Sequence, residues 1–517
     1  MRFALLLLAG CAAGAPDGPG ALRFRVAAPV TEVADRAPIG KPKTDEPGLT
    51  SYYVREDFVE PARRALTIAD HRRAANVNAL GDVPDSAWFT NRAPTAAEIR
   101  RGPGRGGPDR SAPWHVVGVK RGGAAIGITI EDAKHDRYIL KFDEKGAPET
   151  ETGADVVVQR LSWAFGYNVP DNEVVTFERA DLVVGTGMSE AQLERYLAFA
   201  DAAGGTYRAL ASKLLPGVPV GGIEPSGTHP GDANDRVPHE LRRDLRGQRL
   251  LWAWVDHIDL KSANSLATYD GGHLTWYALD FGESLGVAAR TDHVPRLGWR
   301  KRYAPHDSLR ALVTLGALVE PWEEHASWPS LRGLGDFSAT DFDPAAWVPD
   351  NTWRPIEEAD RFDEFWAAAI LMRFTPAQIA AAVDAGRYSD PRTAAYLVQT
   401  LVARQRRIGA YAFARVAPLA GFAVDTGLCF DDLWLAYGYG AAADTRYRTT
   451  AYDATGHARA TSAWSAAVGP RTCLATTVPS YTIVRVDVAR RGQLLPPVFV
   501  HAALLDGAPH VIGVDRR

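Results

Sequence analysis

His257-Ile258-Asp259-Leu260-Lys261-Ser262-Ala263-Asn264, followed by Leu279-Asp280-Phe281-Gly282, is the stretch on which the reading of this chain turns. An acid, a lysine and an amide share one short segment. A second acid returns after the strand-like run Leu274-Thr275-Trp276-Tyr277-Ala278. The fixed positions of the first segment arise by chance about once in several thousand chains of this length, and a suitably placed Asp-Phe-Gly lowers that roughly a further hundredfold. A lone Asp-Phe-Gly carries no information; the ordered pair does.

This pair resembles the catalytic loop H-x-D-L-K-x-x-N and the metal-binding D-F-G of the protein-kinase-like superfamily. The resemblance spans about Trp114 to Tyr411 and implies a role for each residue. Asp259 would be base and positioner for an acceptor hydroxyl, and Lys261 would neutralise charge on the transferred phosphoryl group. Asn264 and Asp280 would supply hard oxygens to Mg²⁺. Phe281 would anchor the segment in the core, and Gly282 would supply backbone freedom. The chain is more similar to the atypical HipA-type and CotH-type kinases, because no A-P-E follows Gly282 and an Arg-rich helix precedes the loop. The missing A-P-E leaves the acceptor open among protein, glycan and small molecule. Pro148 to Val175 also resembles a group of exported bacterial lipoproteins.

Working outward, strands are expected at Trp114–Val119, Ile126–Ile130, Arg137–Phe142, Glu173–Phe177 and Tyr207–Leu215. Apolar spacing at Val156, Val157, Leu161 and Ala164 predicts a helix over about Thr152–Phe165, stopped by Gly166. Lys141 falls on the third strand, where a kinase places its phosphate-contacting lysine. Glu149, Glu151 and Asp155 are candidates to pair with it, with Glu151 or Asp155 better placed in the helix. Gly122-Gly123-Ala124-Ala125-Ile126-Gly127 lies where a phosphate-covering loop belongs, so Gly123 and Gly127 are nucleotide candidates, although a hairpin turn explains the glycines equally well.

From about Pro238 the pattern is helical: His239–Val255, Ser308–Val319, Asp363–Arg373, Pro376–Ala385 and Pro391–Gly409. Arg242, Arg243, Arg246 and Arg249 read as a solvated face pairing with Glu240 and Asp244, with binding of an acidic substrate as the alternative. Asp256, immediately before His257, reads as a helix terminator, with a place in the metal site as the alternative. Beyond these, Leu433–Tyr437, Thr445–Tyr452, Tyr481–Val488 and Val498–Ala502 read as short strands of a sandwich.

The expected fold class is α+β: a two-lobed protein-kinase-like fold, with a small strand-rich lobe and a larger helical lobe, followed by a small all-β sandwich. The boundaries are 1–11 signal peptide, 12–49 flexible tether, 50–112 N-terminal extension, 113–236 N-lobe, 237–412 C-lobe and 413–517 sandwich. With 517 residues and a net charge of -4, the chain has room for two or three folding units and no basic field for nucleic acid.

Phe3 to Leu8 is a short apolar run, and Leu8-Ala9-Gly10-Cys11 reads as a lipoprotein cleavage box with Cys11 lipidated. Export to the cell envelope follows, anchored by lipid alone at the periplasmic face or outer membrane. Cys429 and Cys473 are then free either to form a disulfide or to stay as buried thiols. The functional expectation is an ATP- and Mg²⁺-dependent phosphotransferase, ATP standing for this or another nucleotide. The alternative is a catalytically silent scaffold or ligand-binding envelope lipoprotein.

Overall fold

The computed structural model describes residues 18–19, 22–44, 48–67, 71–104, 106–120, 126–185, 187–287, 298, 301, 305–318 and 329–517. Cys11, Gly123 and the proposed leader lie outside these residues. The chain divides into two compact units. One comprises Val30–Asn78 and Asp82–Arg415. The other comprises Val416–Arg517 with Ala79–Gly81 and the N-terminal residues up to Pro29.

The larger unit opens with α1 (Leu49–Val54), a π-helical turn (Arg55–Val59), α2 (Glu60–Ala65) and α3 (Ala96–Arg101). Then come β1 (Trp114–Val119), β2 (Gly127–Glu131), β3 (Arg137–Phe142), α4 (Thr150–Phe165), β4 (Asn172–Glu178) and β5 (Leu182–Val184). They are followed by α5 (Glu190–Leu197), β6 (Ala202–Ala203) and β7 (Thr206–Lys213). These strands form one sheet in the order β4-β7-β3-β2-β1-β5, with β6 on β7. Only the β1–β5 pairing is parallel.

The alternation of side chains explains how the sheet is covered. Tyr138, Leu140 and Phe142 of β3 share a face with Ile128 and Ile130, and that face packs on Leu193 and Leu197 of α5. The opposite face carries α4, whose Val156 meets Val174 and Leu210. Lys141, one residue out of phase with Leu140, therefore points toward α4.

Next come β8 (Val218–Gly221), α6 (Arg243–Arg246), α7 (Gln248–Val255), β9 (Ser265–Tyr269) and β10 (Leu274–Ala278). The strands pair as β10-β9-β8. The remaining helices are α8 (Pro305–Val313), α9 (Arg354–Glu357), α10 (Arg361–Leu371), α11 (Pro376–Ala385) and α12 (Pro391–Ala414). Thr375, Asp360 and Asp390 cap α11, α10 and α12 with side-chain oxygens. Among the described residues no single helix is long and apolar enough to cross a membrane.

Three expectations need correction. The predicted helix His239–Val255 is broken. Arg242 is extended (φ -91°, ψ 124°), so a 3₁₀ turn, α6 and α7 replace one rod. Its arginines are not a solvated face either. Arg242, Arg243 and Arg246 are buried and paired, Arg242 with Asp244 and the other two with Asp363. Helical spacing alone cannot tell a wet basic stripe from one that meets acids on a distant helix.

The tether is the second correction. Residues 30–44 lie along the larger unit: Asp35 accepts from the Ala87 N–H (2.9 Å), Ile39 N–H donates to Gly272 (2.7 Å), and Asn234 donates to the Ala37 carbonyl (2.9 Å). Leu22 and Phe24 are held in the smaller unit by Ala454, Tyr481 and His501. An extended strap bonds through its backbone and needs no periodicity, so its composition resembles a linker's.

The smaller unit holds two antiparallel sheets. Its elements are β11 (Leu419–Val424), β12 (Leu428–Asp432), α13 (Leu433–Ala436), β13 (Thr445–Tyr452), β14 (Ala458–Thr461), β15 (Ser465–Ala466), β16 (Arg471–Leu474), β17 (Thr482–Arg490), β18 (Gln493–Leu494), β19 (Val498–Leu505) and β20 (Ala508–Arg516). The orders are β11-β12-β16 and β14-β13-β17-β19-β20. Leu419 and Phe430 of one sheet share a core with Val484, Val486 and Val500 of the other. Cys429 and Cys473 face each other across β12 and β16 and form a disulfide. The third correction is α13, predicted as a strand. Asp432, buried and held by Arg490 and Tyr447, caps the Trp434 and Leu435 N–H groups and turns the run into a helix.

Candidate functional site

α7 delivers the first motif. Leu250, Leu251, Trp252 and Val255 bury its surface, and Asp256 ends it in the left-handed conformation (φ 53°). The Asp256 carboxylate accepts from the Trp347 indole N–H (2.8 Å), and burial lifts its pKa to about 6 although Arg404 opposes the shift. It terminates the helix, as the sequence suggested. His257 then packs against Trp252 and Phe281, its Nδ1 3.0 Å from Ser284 Oγ. Burial lowers its pKa to about 4, so this ring is a neutral structural wedge.

Backbone bonds stitch the two motifs together: Leu279 N–H to the Asn264 carbonyl, Ile258 N–H to Glu283 and Leu285 N–H to Val255. Phe281 is fully buried between them. Gly282 is not in the left-handed region; Asp280 is, at φ 58°. Such a conformation is unusual for a residue other than glycine and is tolerated best by Asp and Asn. The glycine has a different reason, since a Cβ at 282 would fall 2.6 Å from Glu151 Cγ.

The structure brings together Lys141, Glu151, Asp155 and Asp280. Lys141 Nζ donates to Asp280 Oδ1 at 2.5 Å and lies 3.6 Å from Asp155 Oδ2. Asp155 also accepts from the Asn172 amide (2.6 Å). Glu151, one turn earlier on α4, makes no ion pair among the described residues. Glu149 points elsewhere, to Arg332 and Ser389.

The electrostatics follow from three carboxylates sharing one buried ammonium. Burial opposes the Lys141 charge, but Asp280 and Asp155 overcome it and hold its pKa above the lysine range. Burial likewise works against the Asp280 carboxylate, yet Lys141, with Lys120 and Lys261, brings its pKa down to about 2. Glu151 is left with burial and neighbouring acids, which outweigh Lys141 and lift its pKa to about 8. Burial raises Asp155 as well.

Asp259 is held by three donors: the Lys261 ammonium, the Asn264 amide (2.8 Å) and the Asn351 amide (3.2 Å). Asn264 also donates to the Asp259 carbonyl. Lys261 is raised above the lysine range, burial being outweighed by Asp259. Sequence reasoning missed Asn351, which sits in a loop without motif, and Asn172. It also missed Lys120, which the register of the first hairpin could have found. Gly127 is a strand residue paired with Lys141.

Asp280 and the Asn264 side-chain oxygen are hard donors on hydrogen-bonded backbone segments. Among the described residues no three or more His, Cys, Asp or Glu converge on a metal site. Mg²⁺ is characteristically held by one or two carboxylates with phosphates and water. The donors fit Mg²⁺ arriving with a nucleotide, and the excess of acid around Lys141 is what a dication would offset.

No protein-family model matches the chain, and no curated protein matches it. Among solved structures it is similar to the Helicobacter pylori proinflammatory kinase CtkA, at 11% identity over 59% of this chain and 98% of that one, with a TM-score of 0.33. It is also similar to the Golgi casein kinase, at 10% identity over 61% of this chain and 72% of that one (TM-score 0.30). A Golgi casein kinase structure with Mn/ADP bound matches at 12% identity over 73% and 94% (TM-score 0.32). At such scores the functional reading stands on the site itself.

Proposed function

We propose that the larger unit is a two-lobed, kinase-like phosphotransferase of the atypical type. It binds a nucleotide with Mg²⁺ between Lys141 and Asp280 and transfers a phosphoryl group to an acceptor hydroxyl at Asp259. The observation that carries this is the ion pair between buried Lys141 and half-buried Asp280, set against Asp155 on α4 and hydrogen-bonded through backbone to the segment holding Asp259. Lys141 orients the donor phosphates and neutralises their charge. Lys261, beside Asp259, places a second positive charge where the transferred group passes. Asp259 accepts the hydroxyl proton, and Asn264 and Asn351 fix its carboxylate. Mg²⁺, held by Asp280 and Asn264, would offset charge developing on the phosphates.

Asp259→Asn is expected to lower transfer about a thousandfold and leave nucleotide binding intact, read by single-turnover transfer beside a binding titration. Full transfer by this variant would refute the assignment.

A second reading has its own observation: a protein ammonium already occupies Asp280 and the Asn264 amide is turned to Asp259, as in a closed, silent scaffold. Nucleotide binding without any transfer to protein, glycan or small-molecule acceptors would favour it. The cleavage box further supports an exported chain anchored in the envelope through Cys11. Incorporation of labelled palmitate, lost in Cys11→Ser, is the expected result.

A further inference from the structure

One row of paired residues crosses the large sheet from the core to the site. Val174 on β4 pairs with Leu210 on β7, Leu210 with Lys141 on β3, and Lys141 with Gly127 on β2. Lys120, which follows β1, continues the row: its N–H donates to the Gly127 carbonyl at 3.0 Å. Directly paired residues project from the same face of a sheet. The row therefore lies on the face that carries α4. Val174 and Leu210 pack beneath that helix with Val156. Beyond them, two lysines flank a glycine.

That glycine cannot be replaced without disturbance. A Cβ at 127 would fall 2.3 Å from the Leu140 carbonyl oxygen and 3.4 Å from Lys120 Cβ. Gly127 itself puts no side chain between the two lysines, whose stems rise about 10 Å apart, two strand spacings.

We propose that Lys120 is a second phosphate-contacting residue, so that Lys120 and Lys141 hold neighbouring phosphates of one nucleotide above the bare backbone of Gly127. This rests on the nucleotide-binding reading given above. Lys120 is half-buried. Burial first, then repulsion from Lys141, keep its pKa below the usual lysine range despite Asp280 and Glu151. An anion set between two such ammonium groups relieves that repulsion and gains a charge-assisted bond from each. The motif assigns this side chain nothing, because it stands at the end of β1, ahead of the glycines.

The experiment is calorimetric titration of the full chain with ATP, adenosine and inorganic tripolyphosphate, each with Mg²⁺, for the wild type, Lys120→Ala and Lys120→Arg. Loss of one charge-assisted bond is expected to weaken ATP and tripolyphosphate about tenfold in Lys120→Ala. Adenosine affinity is expected to stay the same, and Lys120→Arg to recover most of the loss. If Lys120→Ala binds ATP within about twofold of the wild type, the role of Lys120 is refuted and the nucleotide reading stands. Equal weakening of adenosine and ATP also refutes it, since a merely structural change acts on both. A wild type that binds none of the three overturns both.

Discussion

Two buried clusters of charge lie in the larger unit, and they differ in balance. Beneath α7, Arg242 faces Asp244 at 2.8 Å, Arg243 and Arg246 face Asp363 at 2.8 and 3.3 Å, and Arg249 faces Glu364 at 3.1 Å, with Arg415 beside it. Every one of these acids meets a guanidinium. Around Lys141, Glu151, Asp155 and Asp280 compete for one ammonium, and Glu151 is driven toward its neutral form. Five guanidinium groups there share three acids, so no acid lacks a cation, and the pairs tie helices together. Acids crowded on one ammonium, with one of them driven toward neutrality, are instead the mark of a functional-site candidate. The first cluster is the frame and the second is the proposed site.

The largest expected effect tests the frame. Asp363→Ala strands two buried guanidinium groups, and about 3–5 kcal/mol of stability should be lost in denaturant unfolding, as is usual when one partner of a buried pair is removed. A loss below about 1 kcal/mol, the range of exposed pairs, would erase the contrast between the clusters.

Lys141→Met is expected to cost less at pH 5, because carboxyl groups can take up protons where guanidinium groups cannot release them. Without the ammonium, the folded-state pKa of Asp155 rises further above its unfolded value, and Asp280 loses the main charge that brings its pKa down to about 2. The stability from such acids is fully present below the unfolded pKa and is lost as pH rises through the folded one. The penalty should therefore grow from pH 5 to 8, read by thermal melts in metal-free buffer. A penalty independent of pH would mean that these acids do not share the ammonium.

Glu151→Gln should show the smallest effect and the clearest sign. Its pKa is about 8 in the fold against 4.5 ordinarily, so wild-type stability drains between those values. The variant's melting temperature, relative to the wild type, should climb by a few degrees across that window. A flat difference would place Glu151 in water.

The site was more legible than its frame. His257 to Asn264 and Asp280 to Gly282 were visible because spacing along one short segment is preserved by any fold. Lys141 was visible because strand alternation fixes its face. The arginine network could not be read, since Asp363 stands more than a hundred residues from Arg243 and helical spacing does not reveal a distant partner. The strap at 30–44 was misread for a related reason, its bonds being backbone to backbone or backbone to distant side chain. Leu433–Ala436 went the wrong way because one cap, Asp432, outweighed the β propensity of a short apolar run. Asn351 required a loop placement that only coordinates supply, whereas Lys120 needed the register of the first hairpin.

The central claim is that the acid excess around Lys141 exists to hold a metal-bound nucleotide. Thermal melting of the wild type and Asp280→Ala, with ATP in the presence and absence of Mg²⁺, tests it directly. ATP at about 100 times its dissociation constant adds about 2.7 kcal/mol. The wild type should gain several degrees only when Mg²⁺ is present, and Asp280→Ala should gain nothing. A wild type that ATP does not shift, or an Asp280→Ala chain shifted as far as the wild type, would contradict it.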